Sequence, residues 1–188
     1  MVCGIIIWRQ NRSYATSLLL GLLCSFLLFY GCKPNLENTP LSNITLDEIN
    51  KEAKKVVCTS TSSLQSEGFA NEFKKYFNGK KVLLTMKVYR VSANTYKKEY
   101  GKYELQFENS SIAAISPYCS LDASYFMPKM NVFIDDEIAK TLKENIDTVT
   151  FEGIITRIYF SLGKRPESID IFPAVIKKIN GTVIGASK

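Results

Sequence analysis

At Asn78-Gly79 the hydrophobic pattern of the chain changes period, and no other feature restricts the fold as strongly. Upstream, apolar residues recur at helical spacing; downstream they alternate, as on a strand with one buried face. Phe69, Phe73, Tyr76 and Phe77 stand at i, i+4, i+7 and i+8, an aromatic stripe on one helix face. The stripe reads as the surface that packs this helix onto a sheet, with a stacking platform as the alternative. Glycine at position 79 supplies the left-handed conformation that commonly ends a helix. A shorter helix is expected before it, over about 46–57. There Thr45 and Glu48 form a capping box, and Ile49, Ala53, Val56 and Val57 follow at helical spacing. Cys58–Ser66 reads as a serine- and threonine-rich loop.

Past Lys80, Val82, Leu84, Met86 and Val88 give a first strand one apolar side. A lysine-rich turn over Ser92–Gly101 leads to a second strand, in which Tyr103, Leu105 and Phe107 alternate with Glu104, Gln106 and Glu108. Ile112–Cys119 reads as a third strand and Ser120–Phe133 as a long connection. Asp135-Asp136-Glu137 opens an expected helix, the acids suiting its positive N-terminal end, with Ile138, Leu142 and Ile146 as its buried face. Thr148–Phe160 is a long fourth strand that Gly153 bends, and Ser168–Ile179 a fifth with Pro173 at an edge or bulge. The expected fold is therefore mainly β with flanking helices. Three strands, a helix and two strands, with long first and fourth strands, is the order of a five-stranded OB-fold barrel, whose helix plugs the open end. The two earlier helices form an N-terminal helical extension.

Two segments resemble a known family. Asn71–Val82, with Tyr76-Phe77-Asn78-Gly79-Lys80-Lys81-Val82, looks like the helix-then-"Y-x-G-K-x-V" entry of the bacterial tRNA-anticodon-like OB-fold family. Val149-Thr150-Phe151-Glu152-Gly153-Ile154-Ile155 resembles that family's later "V-T-V-K-G-x-V" strand. The resemblance spans 66–179 and departs from the pattern at Met86, where the family commonly has glycine. It implies an OB-fold domain in a short secreted protein or lipoprotein; it carries no function by itself.

The twenty residues Ser13–Cys32 hold no charge, follow Arg9 and Arg12, and end in Leu28-Phe29-Tyr30-Gly31-Cys32. A basic start, a leucine-rich stretch and a small residue before cysteine resemble a bacterial lipoprotein signal, in which Cys32 is acylated. An uncleaved signal anchor and a simple cleaved signal are the alternatives. The division that follows is signal 1–31, tether 32–44, helix and loop 45–65, OB-fold domain 66–179 and tail 180–188. Lys33 stands where inner-membrane retention commonly uses aspartate, which points to the outer membrane of the cell envelope. Residues 1–31 carry two arginines and no acid, so the +6 of the whole chain falls to +4 beyond them. Its lysine pairs are interleaved with acids, unlike the concentrated basic stripe of a nucleic-acid binder.

The chain contains no histidine, which removes histidine-based triads and imidazole metal sites, and no metal or other cofactor is expected. Cys58 and Cys119 are left for one disulfide or two free thiols. The carboxylates of Asp135, Asp136 and Glu137 point in different directions at a helix start and need no catalytic explanation. The reading favoured is a non-catalytic, lipid-anchored binding module, with an envelope or extracellular protein, peptide or glycan as partner. An OB-fold binds through strands two and three and the adjoining loops. In this chain that nominates Tyr89, Tyr96, Lys97, Lys98, Tyr100, Tyr103, Lys164 and Arg165, against the alternative of ordinary surface residues. Single-stranded nucleic acid, bound by stacked tyrosines in a basic groove, is the second reading. The anchor is tested by Cys32→Ser, followed by membrane fractionation and intact mass. The variant is expected to be released or stalled with its domain folded; normal processing and membrane retention would contradict acylation.

Overall fold

The computed structural model describes residues 34–58, 63–107, 128–161 and 166–184. Among them, helices α1 (Leu46–Cys58) and α2 (Ser63–Phe77) precede seven strands in one open sheet. The strands are β1 (Lys81–Lys87), β2 (Arg90–Ala93), β3 (Tyr103–Phe107), β4 (Lys129–Ile134), β5 (Thr148–Phe160), β6 (Pro166–Ile179) and β7 (Thr182–Val183). The order across the sheet is β1-β5-β6-β4-β3-β2, with β7 beside β6. β4 and β6 run parallel; the other pairs are antiparallel.

The helices form where the apolar spacing places them, but α2 begins at Ser63, inside the stretch read as a loop, and α1 runs through Cys58. Thr45 Oγ1 accepts the Glu48 amide at 3.2 Å, starting α1 as expected. The Glu48 carboxylate does not turn back to complete a capping box; it accepts the Tyr76 hydroxyl of α2 at 2.5 Å. Ile49, Ala53 and Val56 of α1 and Phe73 and Phe77 of α2 are buried in the main core. Phe73 meets Phe77 at 4.6 Å and Phe160 of β5 edge-on at 6.2 Å, so the aromatic stripe packs on the sheet. Tyr76 departs from the stripe, half exposed at the surface.

The first and fourth strands alternate as read. Val82, Leu84 and Met86 face inward, as do Leu105 and Phe107 of β3, and Phe107 stacks on Phe151 of β5 at 5.2 Å. Met86, standing where the family pattern has glycine, fills core space. Five strands become seven for two local reasons. The long first strand breaks at Val88-Tyr89: the Val88 amide bonds Asp147 O, while the Tyr89 amide bonds Gln106 O. Its first part therefore pairs with β5 and its second with β3, at opposite ends of one ladder. The seventh strand comes from the expected tail. Asn180 and Gly181 both adopt positive φ, the two-residue turn that Asn-Gly favours, and return the chain along β6.

Three further expectations change. The expected third strand, 112–119, lies outside the described residues. β4 forms within the stretch read as a connection, where Met130, Val132 and Ile134 alternate into the core. The helix expected after it is a single 3-10 turn, Glu137–Thr141. Asp136 caps it through the Ile138 amide, and Leu142 is already extended. The Asp147 carboxylate then takes the Lys143 amide and Asn180 Nδ2, folding 143–147 into a turn, and Ile146 is left exposed. The segment read as a free tether is fastened from residue 34 onward. Lys81 Nζ bonds Leu36 O at 2.7 Å, and the Ser42 amide bonds Lys81 O at 2.8 Å.

Gly153 bends β5, as its position in the sequence implied, and the pairing with β6 shifts register there. A Cβ at this position would lie 2.4 Å from Ile171 Cγ2 and 2.9 Å from Ala174 Cβ. Gly153→Ala is expected to cost about 1–3 kcal/mol by overpacking. Urea denaturation of the purified variant measures it; an unchanged midpoint would show that β6 yields freely.

Candidate binding site on the outer sheet face

The connection between β2 and β3 does not project into solvent; it folds back across the sheet. Asn94, buried, staples it. Its Nδ2 donates to Lys97 O and Gly101 O at 2.6 and 2.7 Å, and its Oδ1 accepts the Lys97 amide at 2.9 Å. Gly101 has φ of 139°, and a Cβ there would lie 2.9 Å from the Ile134 backbone. Only glycine lets the loop pass this close to the end of β4.

Beneath the loop, strand alternation sets a polar and aromatic group against it. Ile169 and Ile171 of β6 face the core, so Asp170 and Phe172 face the other way. Asp170 is paired in register with Asn131 of β4 on one side and Arg157 of β5 on the other. Its side chain is fully buried and forms an ion pair with the Lys97 ammonium. Its second oxygen accepts Asn131 Nδ2 at 3.0 Å. Asn131 Oδ1 is buried with no hydrogen-bond partner.

The Lys97 ammonium also sits among three rings, 5.0 Å from Tyr159, 5.1 Å from Phe133 and 5.9 Å from Tyr100. Tyr100 stacks on Phe172 at 5.1 Å and meets Phe133 edge-on at 5.4 Å, while the Arg157 guanidinium lies 5.3 Å from its ring. Burial works against the charge on Lys97, but hydrogen bonding to Asp170 and Tyr159 outweighs it and raises the pKa above the ordinary lysine value. Burial likewise pushes the Tyr100 phenol up, with Arg157 opposing. Both groups hold their protons at neutral pH.

Of the nominated residues, the structure brings Lys97 and Tyr100 together here. Tyr96 stands at the loop surface, 96% exposed, and Tyr89 is partly exposed at the break between β1 and β2. Lys98 contributes backbone to a 3-10 turn. Tyr103 turns inward; its hydroxyl donates to Glu137 at 2.7 Å, beneath Lys140. Lys164 and Arg165, together with Cys32 and Cys119, lie outside the described residues. Cys58 ends α1. Sequence reading missed Asp170, Asn131, Phe133, Arg157, Tyr159 and Phe172. The available signal was Asp170 itself, an acid between two buried isoleucines.

The three consecutive acids have separate local tasks. Asp135 accepts the Lys102 amide, Asp136 caps the 3-10 turn, and Glu137 pairs with Lys140 at 2.6 Å. Lys140 and then Tyr103 hold the Glu137 pKa down to about 2. Among the described residues no three His, Cys, Asp or Glu side chains group as metal ligands, and no helix is long and apolar enough to cross a membrane. Comparison with protein-family models, curated proteins and solved structures found no match.

Breaking a buried ion pair on one side strands the other charge, at a cost of about 3 kcal/mol. Lys97→Met, which strands the fully buried Asp170 carboxylate, should lose stability on this scale, and adding Asp170→Asn should restore much of it. A double-mutant cycle by urea denaturation measures the coupling. Additive losses would show that the two side chains do not act as a pair.

Proposed function

We propose that this chain is a non-catalytic, lipid-anchored binding module of the cell envelope, carried by an OB-type domain. The anchor rests on the signal-like run ending at Cys32. The OB-type reading rests on strand order. β1 and β2, at the two ends of the sheet, are consecutive in the chain with only Val88 and Tyr89 between them. Taken as one bent strand, they give the order 1-2-3-5-4 with a parallel pair between the third and fifth strands, the connectivity of that fold.

One observation carries the binding role: the loop 94–101 and β5 present a joint surface. Tyr96 on the loop, with Arg157 and Tyr159 on β5, is exposed beside the fixed Lys97 and Tyr100. Fixed aromatic and guanidinium groups make contact area with little ordering cost on binding, which suits a protein, peptide or glycan partner. Arg157 favours an acidic group in that partner. The absence of histidine and the local tasks of Asp135, Asp136 and Glu137 support a non-catalytic role. Tyr103, Leu105 and Phe107, the platform a nucleic-acid strand would need, are buried, which weighs against the second reading.

The test is a titration of the protein with an acidic peptide, with a muramic-acid-containing glycan tetramer and with a thymidine 20-mer, followed by amide chemical shifts. Binding of the peptide or glycan is expected to move 96–100 and 157–159. Arg157→Ala with Tyr159→Ala should weaken it by about tenfold, as for two anchor residues. Oligonucleotide binding that fell steeply with salt would favour nucleic acid instead.

A further inference from the structure

A cleft of about 290 Å³ lies away from the loop and β5 surface, between α1 and α2. Buried Val56, Phe73 and Phe77 form its floor, and Phe69 and Tyr76 its walls. Glu48, Glu52 and Glu72 stand around it with a single cation, Lys55. An acidic mouth over aromatic walls is unusual in a chain whose net charge is +6. We propose that this pocket binds a small free organic cation, an ammonium on an aromatic stem.

The charges favour that occupant. Glu48 is held by the Tyr76 hydroxyl and Glu52 lies 3.7 Å from Lys55. The Glu72 side chain makes no hydrogen bond or ion pair among the described residues, leaving its carboxylate for a ligand. The walls already accept a cation, since the Lys55 ammonium sits 5.7 Å from the centre of the Phe69 ring. An anionic ligand would meet three carboxylates. The volume falls just below the roughly 300–1,000 Å³ range of pockets for drug-sized ligands, enough for a single-ring amine. Lys55 is then a resident competitor: it occupies ring surface that the ligand's ammonium would use.

The probe is phenethylamine, with 3-phenylpropionate as its opposite-charge counterpart, titrated into the full chain in nonionic detergent and read at the amides of 69–77. Phenethylamine should bind at least about tenfold more tightly than 3-phenylpropionate, the charge discrimination expected of unlike against like charges at one mouth. Glu72→Gln, an exposed change with no partner to lose, should weaken it several-fold at an unchanged melting temperature. Lys55→Met should tighten it. Equal binding of amine and acid, no binding of the amine, or indifference to both substitutions would overturn the proposal. So would binding of a lysine-rich peptide with none of the free amine. None of these outcomes bears on Arg157 and Tyr159, so the two sites succeed or fail separately.

Discussion

Asp170 is the constraint on which the outer face is organised. A carboxylate fully buried in a central strand is tolerated only with its charge answered and its oxygens bonded. Asn131 supplies a hydrogen bond from β4, and Lys97 supplies the charge from a loop far away in sequence. The loop must therefore lie on the sheet. Asn94 and Gly101 shape its two ends for that path, and Tyr100 fills the space between Phe133 and Phe172. What reaches solvent, Tyr96, Arg157 and Tyr159, is held by this arrangement from below.

The main core sits on the opposite face and depends on a different constraint, the close passage of β6 over Gly153. The sharp coiling there lets one long strand serve both β1 and β6. The break at Val88-Tyr89 lets one run of chain serve both ends of the ladder. Each face thus has its own means of fixing a long-range pairing, and the fold needs both, because β1 with β5 and β4 with β6 pair across long stretches of sequence.

Much of this was legible in the residues. Alternation gave β1, β3 and β5 with the correct inward faces, and helical spacing gave α1 and the buried part of α2. Lys97 and Tyr100, nominated from the sequence, lie together on the loop that crosses the sheet. The misses share a physical cause. Ile138, Leu142 and Ile146 have helical spacing, but Leu142 is extended and the Asp147 carboxylate accepts the Lys143 amide, which holds 143–147 in a turn. β4 is short and reads as a strand only once Leu105 and Ile171 flank Val132. The partners of Lys97 lie on three strands, so no local window could reveal them; register alone puts Asn131, Arg157 and Asp170 in one row.

The most direct measurement is the proton NMR shift of the Lys97 side-chain methylene next to the ammonium, assigned by comparison with Lys97→Arg. Three rings within 6 Å of that nitrogen predict resonances well upfield of those of the surface lysines, returning to ordinary positions in Asp170→Asn. A Lys97 signal indistinguishable from the exposed lysines in the unmutated protein would mean the loop is not clamped on the sheet, and the proposed binding surface would not exist as a fixed structure.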